Sequence, residues 1–501
     1  MNSVRIALMA TLALMCACQK PERAKDEAAA ASGAAALAAG LECSAPEGAW
    51  LPATPEPDSG PASAEPEDCF FYKAAWQHFL VATQSDATSH AAFLTYPNIA
   101  TIFGAGPPKN NFVGLTANQM SVALRDVQRP NTLPSHPTRL VSMAEGVRQA
   151  GGLFGLVVDS SGNPVFYSIH VNQRFADFIK THDLTTREKV EQASRLEFDP
   201  GVAEFKAAWV ISDPAAPIDP DYIYAEVEIP NLRQDSGGVV RLAPGVRTVR
   251  LKLIAFHIAF VIQDHPEFIW ATFEHVTHEG LSDVAPSAQT NSETSAVVVQ
   301  PGVSYTLFAP SRSRDSANSP CPGKAPSRCV RNRDFPVFDE ARQSFARVGG
   351  SQQTSIFREF PASKSDRWDE EDPSVRDLNI SMRSLLAPAG GPRDVRANYS
   401  LVGATWLEHP RDGGGRSGDF ALGRSFANPA GQDTEDRSRV VAGEDALSST
   451  AMESFTQRDS PGCFSCHDTR AVRSDEDGHV ILKATTLNVS HVISRYLSQP
   501  E

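Results

Sequence analysis

Val249-Arg-Leu-Lys-Leu-Ile-Ala-Phe-His-Ile-Ala-Phe-Val261 and, after the link around Gln263-Asp264-His265-Pro266, Phe268-Ile-Trp-Ala-Thr-Phe-Glu-His-Val276 form the stretch that decides the fold. The first run is apolar except for Arg250, Lys252 and His257, and the second except for Thr272, Glu274 and His275. Runs of this kind, rich in branched and aromatic residues and broken by a short polar link, read as a central antiparallel hairpin with little exposure on either face. Neighbouring segments carry the two-residue alternation of half-buried strands: Ala203, Phe205, Ala207, Trp209 and Ile211, then Ile223, Ala225, Val227 and Ile229. Two more hairpins are expected, Leu153–Val158 with Pro164–Val171 around Asp159–Asn163, and Val297–Val299 with Val303–Phe308 across Gln300-Pro301-Gly302.

Helical spacing is rarer. Phe71, Tyr72, Trp76, Phe79, Leu80 and Thr83 predict an amphipathic helix over Phe70–Ala82. Further helices are expected at Arg187–Phe198, Val337–Val348, Pro373–Leu386 with Asp372 as N-cap, and Glu444–Phe455. A terminal helix capped by Asn488 would carry His491 on an apolar stripe of Val489, Val492, Ile493, Tyr496 and Leu497. The class that follows is α+β: a large, mainly antiparallel β-rich body with peripheral helices and a short helical C-terminal segment.

That C-terminal segment holds the one motif that specifies a chemistry, Cys463-Phe464-Ser465-Cys466-His467. Two cysteines two residues apart with a histidine directly after them form the attachment pattern for c-type haem. The two sulfurs add to the vinyl groups of the macrocycle, and the histidine is placed as the proximal iron ligand. A Cys-x-x-Cys pair is also half of a zinc knuckle. A second close pair is missing, since the nearest other cysteines, Cys321 and Cys329, stand far upstream and are separated by seven residues.

The compartment expected for the chain agrees with haem c. Residues 1–17 carry Arg5 and then the apolar run from Ile6 to Met15, too short to span a bilayer and suited to a signal-peptide core. Met15-Cys16-Ala17-Cys18 resembles a lipoprotein cleavage box, with Cys18 as the lipidated residue and Gln19 after it resembling a signal for transfer to the outer membrane. Four cysteines then remain, Cys43, Cys69, Cys321 and Cys329, which in an oxidising compartment read as two disulfides. Locality favours Cys43–Cys69 with Cys321–Cys329 among the three connectivities. The Ala- and Pro-rich stretch 18–68 reads as a tether, 69–443 as the main domain and 444–501 as the haem-bearing segment.

A formal net charge of −14 argues against binding nucleic acid or an anionic membrane through charge. The expected membrane link is the N-terminal lipid alone. Asp369-Glu370-Glu371-Asp372 and Asp475-Glu476-Asp477 read as solvated loops. No methionine follows Met452, so the sixth iron position is expected to go to His491, to Met452, or to stay open for oxygen or peroxide chemistry. His257 and His275, inside the apolar hairpin, read as satisfied core residues.

Trp76-Gln77-His78-Phe79-Leu80, Glu204-Phe205-Lys206-Ala207-Ala208-Trp209, the strand of His257, Trp270-Ala271-Thr272-Phe273-Glu274, Met452-Glu453 and the haem motif resemble exported bacterial cytochrome c family proteins with a single C-terminal Cys-x-x-Cys-His. The resemblance implies one covalent haem and a redox role, with no assigned substrate. The expected function is therefore that of a periplasm-facing c-type haem protein, outer-membrane-anchored, acting in electron transfer or as a haem-dependent oxidoreductase on a redox partner protein or small molecule. The alternative is a ligand-binding or scaffold lipoprotein whose haem is structural or sensory.

Overall fold

The structure, a computed structural model, describes residues 43–45, 67–85, 91–97, 99–103, 112–113, 122–123, 156–213, 215–234, 240–288, 297–308, 317–318, 337–346, 355–359, 373–388, 391–408, 419–426, 441–444, 446–457, 462–473 and 478–493. The signal at 1–17, Cys18, nearly all of the tether at 18–68, Cys321, Cys329, Asp372 and both acidic runs lie outside them.

One antiparallel sheet of seven strands organises the chain: β1 (Phe166–Val171), β2 (Ala203–Ser212), β3 (Tyr224–Gln234), β4 (Val240–Ile262), β5 (His265–His275), β6 (Tyr399–Leu407) and β7 (Val441–Gly443). Their order is β7-β6-β5-β4-β2-β1, and β3 also pairs with β4. The expected central hairpin is β4–β5, closed so tightly that Ile262 already faces His265. With 23 residues, β4 serves two partners in turn on one of its edges. β3 pairs with it from Val240 to Lys252 and β5 from Ala255 onward, while β2 lines the other edge.

Both faces are covered, which explains the near-continuous apolar run. All 11 residues of β5 are buried. On the first face Phe205, Ala207 and Trp209 of β2, Phe256, Ile258 and Phe260 of β4, and Ile269, Ala271 and Phe273 of β5 meet helices α1 (Glu67–Thr83) and α4 (Pro373–Leu386). α1 is buried around nearly its whole circumference, with Phe71, Tyr72, Ala74, Ala75, Trp76, His78, Phe79, Leu80 and Ala82 all inaccessible, rather than on one stripe. A disulfide between Cys43 and Cys69 fastens the segment 43–45 to its first turn. On the second face lie two separate apolar clusters: one joins Ala259, Val261, Phe268 and Trp270 to Phe464, Leu487, Val489 and Ile493, and the other joins Ala208, Val210 and Ala255 to Leu307, Ile356 and Met452.

Beside β1, α2 (Gln173–Thr181) starts at Asn172, whose Oδ1 accepts from the Phe175 and Ala203 N–H groups. One side chain thus caps the helix and holds it to β2. Next comes α3 (Arg187–Gln192), which ends six residues before the expected Phe198.

Other local expectations are corrected. The described part of Val337–Val348 is a hairpin, Val337–Asp339 with Ser344–Ala346, in which Phe338 faces Phe345. The described part of Glu444–Phe455 is a series of turns, because the Ser449 N–H donates to the Glu453 carboxylate and the Ser449 and Thr450 hydroxyls to that of Glu274. Val297–Val298 pairs with Ser287–Ala288, while Thr306 and Leu307 donate to Asp283 and Val284. Asn488 does not cap a helix. Its amide donates to the Arg470 and Lys483 carbonyls, and a 3-10 turn at Thr486–Val489 precedes the helical residues 491–493.

The turn at Asp159–Asn163 forms as expected between Val158 and Pro164, and Asp159 Oδ1 accepts the N–H groups of Ser161 and Asn163, each at 2.8 Å. Burial pushes the Asp159 carboxyl up to about 6, against the pull of those two N–H groups. The folded value lies above the unfolded one, so the native state gains a proton between about pH 6 and 4. This group therefore adds stability as pH falls through that window and removes it above pH 6. Asp159→Asn keeps an acceptor for both N–H groups and removes the buried charge. It is expected to stabilise the fold by about 1–2 kcal/mol at pH 7.5, a gain that disappears near pH 4. Urea midpoints of both proteins at the two pH values measure this.

Candidate functional site

Cys463 starts a 3-10 turn, Cys463–Ser465, entered through Gly462 at φ 116°. The N–H groups of Cys466 and His467 both donate to the Cys463 carbonyl, at 3.2 and 3.0 Å. The motif is thus wound into a single turn, anchored by Phe464, which is buried and edge-on to Phe426 at 5.6 Å. Both motif cysteines are free thiols, Cys463 half-buried and Cys466 exposed. Burial first, then the charges of Glu453 and Cys466, push the Cys463 thiol well above its usual range. Among the described residues no three of His, Cys, Asp and Glu gather as a metal-ion cluster requires.

His467 Nδ1–H donates to the Val489 carbonyl at 2.8 Å. A carbonyl only accepts, so the proton resides on Nδ1 and Nε2 is the basic nitrogen, the tautomer suited to binding a metal. The ring lies 3.9 Å from Trp270 at 35° and 3.8 Å from His491 at 25°. Two near-parallel rings at that distance occupy opposite faces of the imidazole, so it is clamped between them.

The two sixth-ligand candidates have different surroundings. His491 covers a face of His467, and its Nε2–H points to the Cys466 carbonyl at 3.2 Å. Met452 is buried in the cluster with Ala208, Val210 and Ala255, apart from the cluster that holds Phe464 and packs on Cys463.

Between these two apolar clusters a polar row crosses the sheet. Register places Lys206 of β2 beside His257 of β4, and His257 beside Thr272 of β5. Thr272 Oγ1 bonds His257 Nδ1 at 2.9 Å, and His257 Nε2 bonds both oxygens of Glu453 at 3.0 Å. Burial pushes the Glu453 carboxyl up, but His257, Lys206 and the Ser449 N–H outweigh it and hold the group below the usual carboxylate range. A carboxylate accepts, so His257 Nε2 is the donor and its Nδ1 takes the Thr272 hydroxyl proton while the ring is neutral. Trp270, which touches His467, precedes Thr272 by two residues on the same strand face, about 7 Å away. The row therefore adjoins the haem motif.

His257 had the sequence signature of a core residue, and its pairing with Glu453, 196 residues on, is visible only in three dimensions. His275 does behave as a core residue, satisfied by Asp283 and the Asp221 carbonyl. Lys206, Trp270, Thr272 and Glu453 lie in stretches that carry the family resemblance, which gave none of them an individual role. The register of β2, β4 and β5 is what assembles them.

The residues present fit a covalent c-type haem. Two thiols and one Nδ1-protonated imidazole lie in one turn, against an apolar wall. Beside them Trp270 Nε1, in a buried side chain, has no hydrogen-bond partner among the described residues. An unmatched buried indole N–H suits a group with carboxylates, as the haem propionates are. Compared with protein-family models, with curated proteins and with solved structures, the chain finds no match.

Proposed function

We propose that the chain is an exported c-type haem protein, with one haem attached through Cys463 and Cys466 and His467 as the proximal iron ligand. The observation that carries this reading is the hydrogen bond from His467 Nδ1 to the Val489 carbonyl, inside a Cys-x-x-Cys-His turn. The same pattern resembles the cytochrome c family proteins with one C-terminal motif. Bound there, the haem would supply one-electron oxidation and reduction, for electron transfer or a haem-dependent reaction on a partner protein or small molecule.

The chain's own groups have separate tasks. Val489 makes the His467 Nε2 more basic, and Trp270 and His491 fix the ring's rotation. The apolar residues Phe464, Leu487 and Val489 exclude water from the proximal side. His257 and Glu453 hold a proton between Nε2 and the carboxylate in a site that is only partly exposed, where a redox change is most in need of charge balance. Cys18 would tether the mature protein to a membrane by lipid; among the described residues no helix is long and apolar enough to cross one.

Expression with haem-maturation machinery tests the assignment. Acid- and urea-denatured wild-type protein is expected to give a pyridine haemochrome spectrum at about one haem per chain. Cys463→Ser with Cys466→Ser is expected to lose all covalent haem while keeping the far-ultraviolet circular dichroism of the sheet. A denatured, fully matured wild type with no haemochrome absorbance would sink the proposal.

A further inference from the structure

A second site lies away from the haem motif. Helix α4, the start of β6 and the loop 276–287 enclose a cleft of about 460 Å³. Three arginines line it: Arg358, Arg376 and Arg383. Two are neutralised, Arg358 by Glu274 at 2.6 Å and Arg376 by Asp377 at 3.1 Å. Arg383 is different. Its Nη2 donates to the Ser400 hydroxyl at 3.2 Å, its Nε is buried without a partner, and no carboxylate among the described residues pairs with it.

The loop is shaped around this guanidinium. Gly280 has φ +82°, and a Cβ there would collide with the Arg383 guanidinium, so the chain has left out a side chain where Arg383 passes. Glu279, at the rim, is fully exposed, and its side chain bonds Thr277. Burial lowers the pKa of Arg383, and the like charge of Arg393 lowers it further. A buried donor left unmatched costs about 1–3 kcal/mol, and here it carries a charge. In a chain of net charge −14, one unneutralised cation facing a cleft is a place prepared for an anion.

We propose that this cleft binds a small organic oxyanion, a carboxylate or a phosphate ester, with Arg383 as the charged donor and the hydroxyls of Ser282, Ser287 and Ser400 around it. The planar fork of arginine matches a carboxylate with two parallel hydrogen bonds. A volume near 460 Å³ admits a metabolite and excludes a peptide or polymer. This site is independent of the haem assignment. Glu274 links the cleft to the turns that carry Glu453, spanning from Arg358 in the cleft to Thr450, three residues before Glu453.

Calorimetric titration of the full chain at low ionic strength tests this, with citrate, succinate and inorganic phosphate as probes and chloride at matched ionic strength as the control. At least one probe is expected to bind saturably at one per chain, and Arg383→Met to weaken it tenfold or more. Arg383→Lys is expected to recover phosphate more than citrate or succinate, because it keeps the charge and loses the fork. A second readout needs no variant: phenylglyoxal modification of Arg383 in the wild type, located by peptide mass mapping, is expected to slow when the binding probe is present. No saturable binding by any of the three, binding unchanged in Arg383→Met, or modification of Arg383 at the same rate with and without the probe would each overturn the proposal.

Discussion

Arg358→Met is expected to destabilise the fold by about 3–5 kcal/mol, because it leaves a buried carboxylate without its cation. Glu274, 2% exposed, accepts four hydrogen bonds: from Arg358 Nη2 at 2.6 Å, Ser449 Oγ at 3.2 Å, Thr450 N at 2.7 Å and Thr450 Oγ1 at 2.9 Å. Arg358 in turn donates to the Ser448 carbonyl at 2.6 Å. The pair thus fastens the turns after β7 to strand β5, and those turns carry Glu453 to His257. Methionine matches much of the arginine's volume but none of its charge. The double variant with Glu274→Gln is expected to recover more than half of the loss, since the orphaned charge is then gone while the amide still accepts from Thr450. Chemical denaturation of wild type, both single variants and the double variant measures the coupling. If Arg358→Met alone cost under about 1 kcal/mol, the pair would be one of those that barely offsets its own desolvation.

Gly443→Ala is the second substitution of large effect, expected to cost about 3–4 kcal/mol. Gly443 has φ +74°, and a Cβ there would strike the Ala404 carbonyl and come within 2.6 Å of the Trp406 ring. Neither neighbour can yield: Ala404 is backbone of the paired strand, and Trp406 is packed against Phe71 at 4.2 Å. The collision falls where Glu444 enters the core. Its N–H donates to Ala404, its carboxylate takes the Ala404 N–H at 2.7 Å and the Tyr72 hydroxyl at 3.2 Å, and all three bonds depend on the close approach. Gly478 supplies the control. It has φ +72° but no neighbour within 4 Å of its Cβ position, so Gly478→Ala should cost only the left-handed backbone strain, about 1 kcal/mol. Equal losses for the two substitutions would mean that packing at Gly443 contributes nothing.

The parts of the fold legible in the sequence were those where one periodicity had no competitor. The β4–β5 hairpin showed because both of its faces are covered, and β2 and β3 showed through strict alternation. Val337–Val348 misled for a geometric reason. Phe338 and Phe345 are seven residues apart, the spacing of one helix face, and the same spacing sets them opposite one another across the hairpin, rings 5.1 Å apart. Glu444–Phe455 misled because Ser449 and Thr450 spend their N–H and hydroxyl groups on the carboxylates of Glu274 and Glu453, which holds the segment in turns. At the site, the Cys-x-x-Cys-His motif was local and readable. The clamp on His467 and the row Lys206–His257–Thr272–Glu453 were not, because they are products of strand register and of a return of the chain nearly two hundred residues later.

Asn379 of α4 has a consequence of another kind. β7 pairs with β6 only over Thr405–Leu407, so among the described residues the earlier half of β6 has no strand on that side. There the Asn379 amide takes the place of a strand, accepting from Leu401 N at 3.0 Å and donating to Leu401 O at 2.8 Å, while Trp76 Nε1 holds its oxygen at 3.2 Å. An open ladder is a template for a second chain. One side-chain amide, fixed by a buried indole, gives this sheet an end, and with it a safeguard against growing into its neighbours.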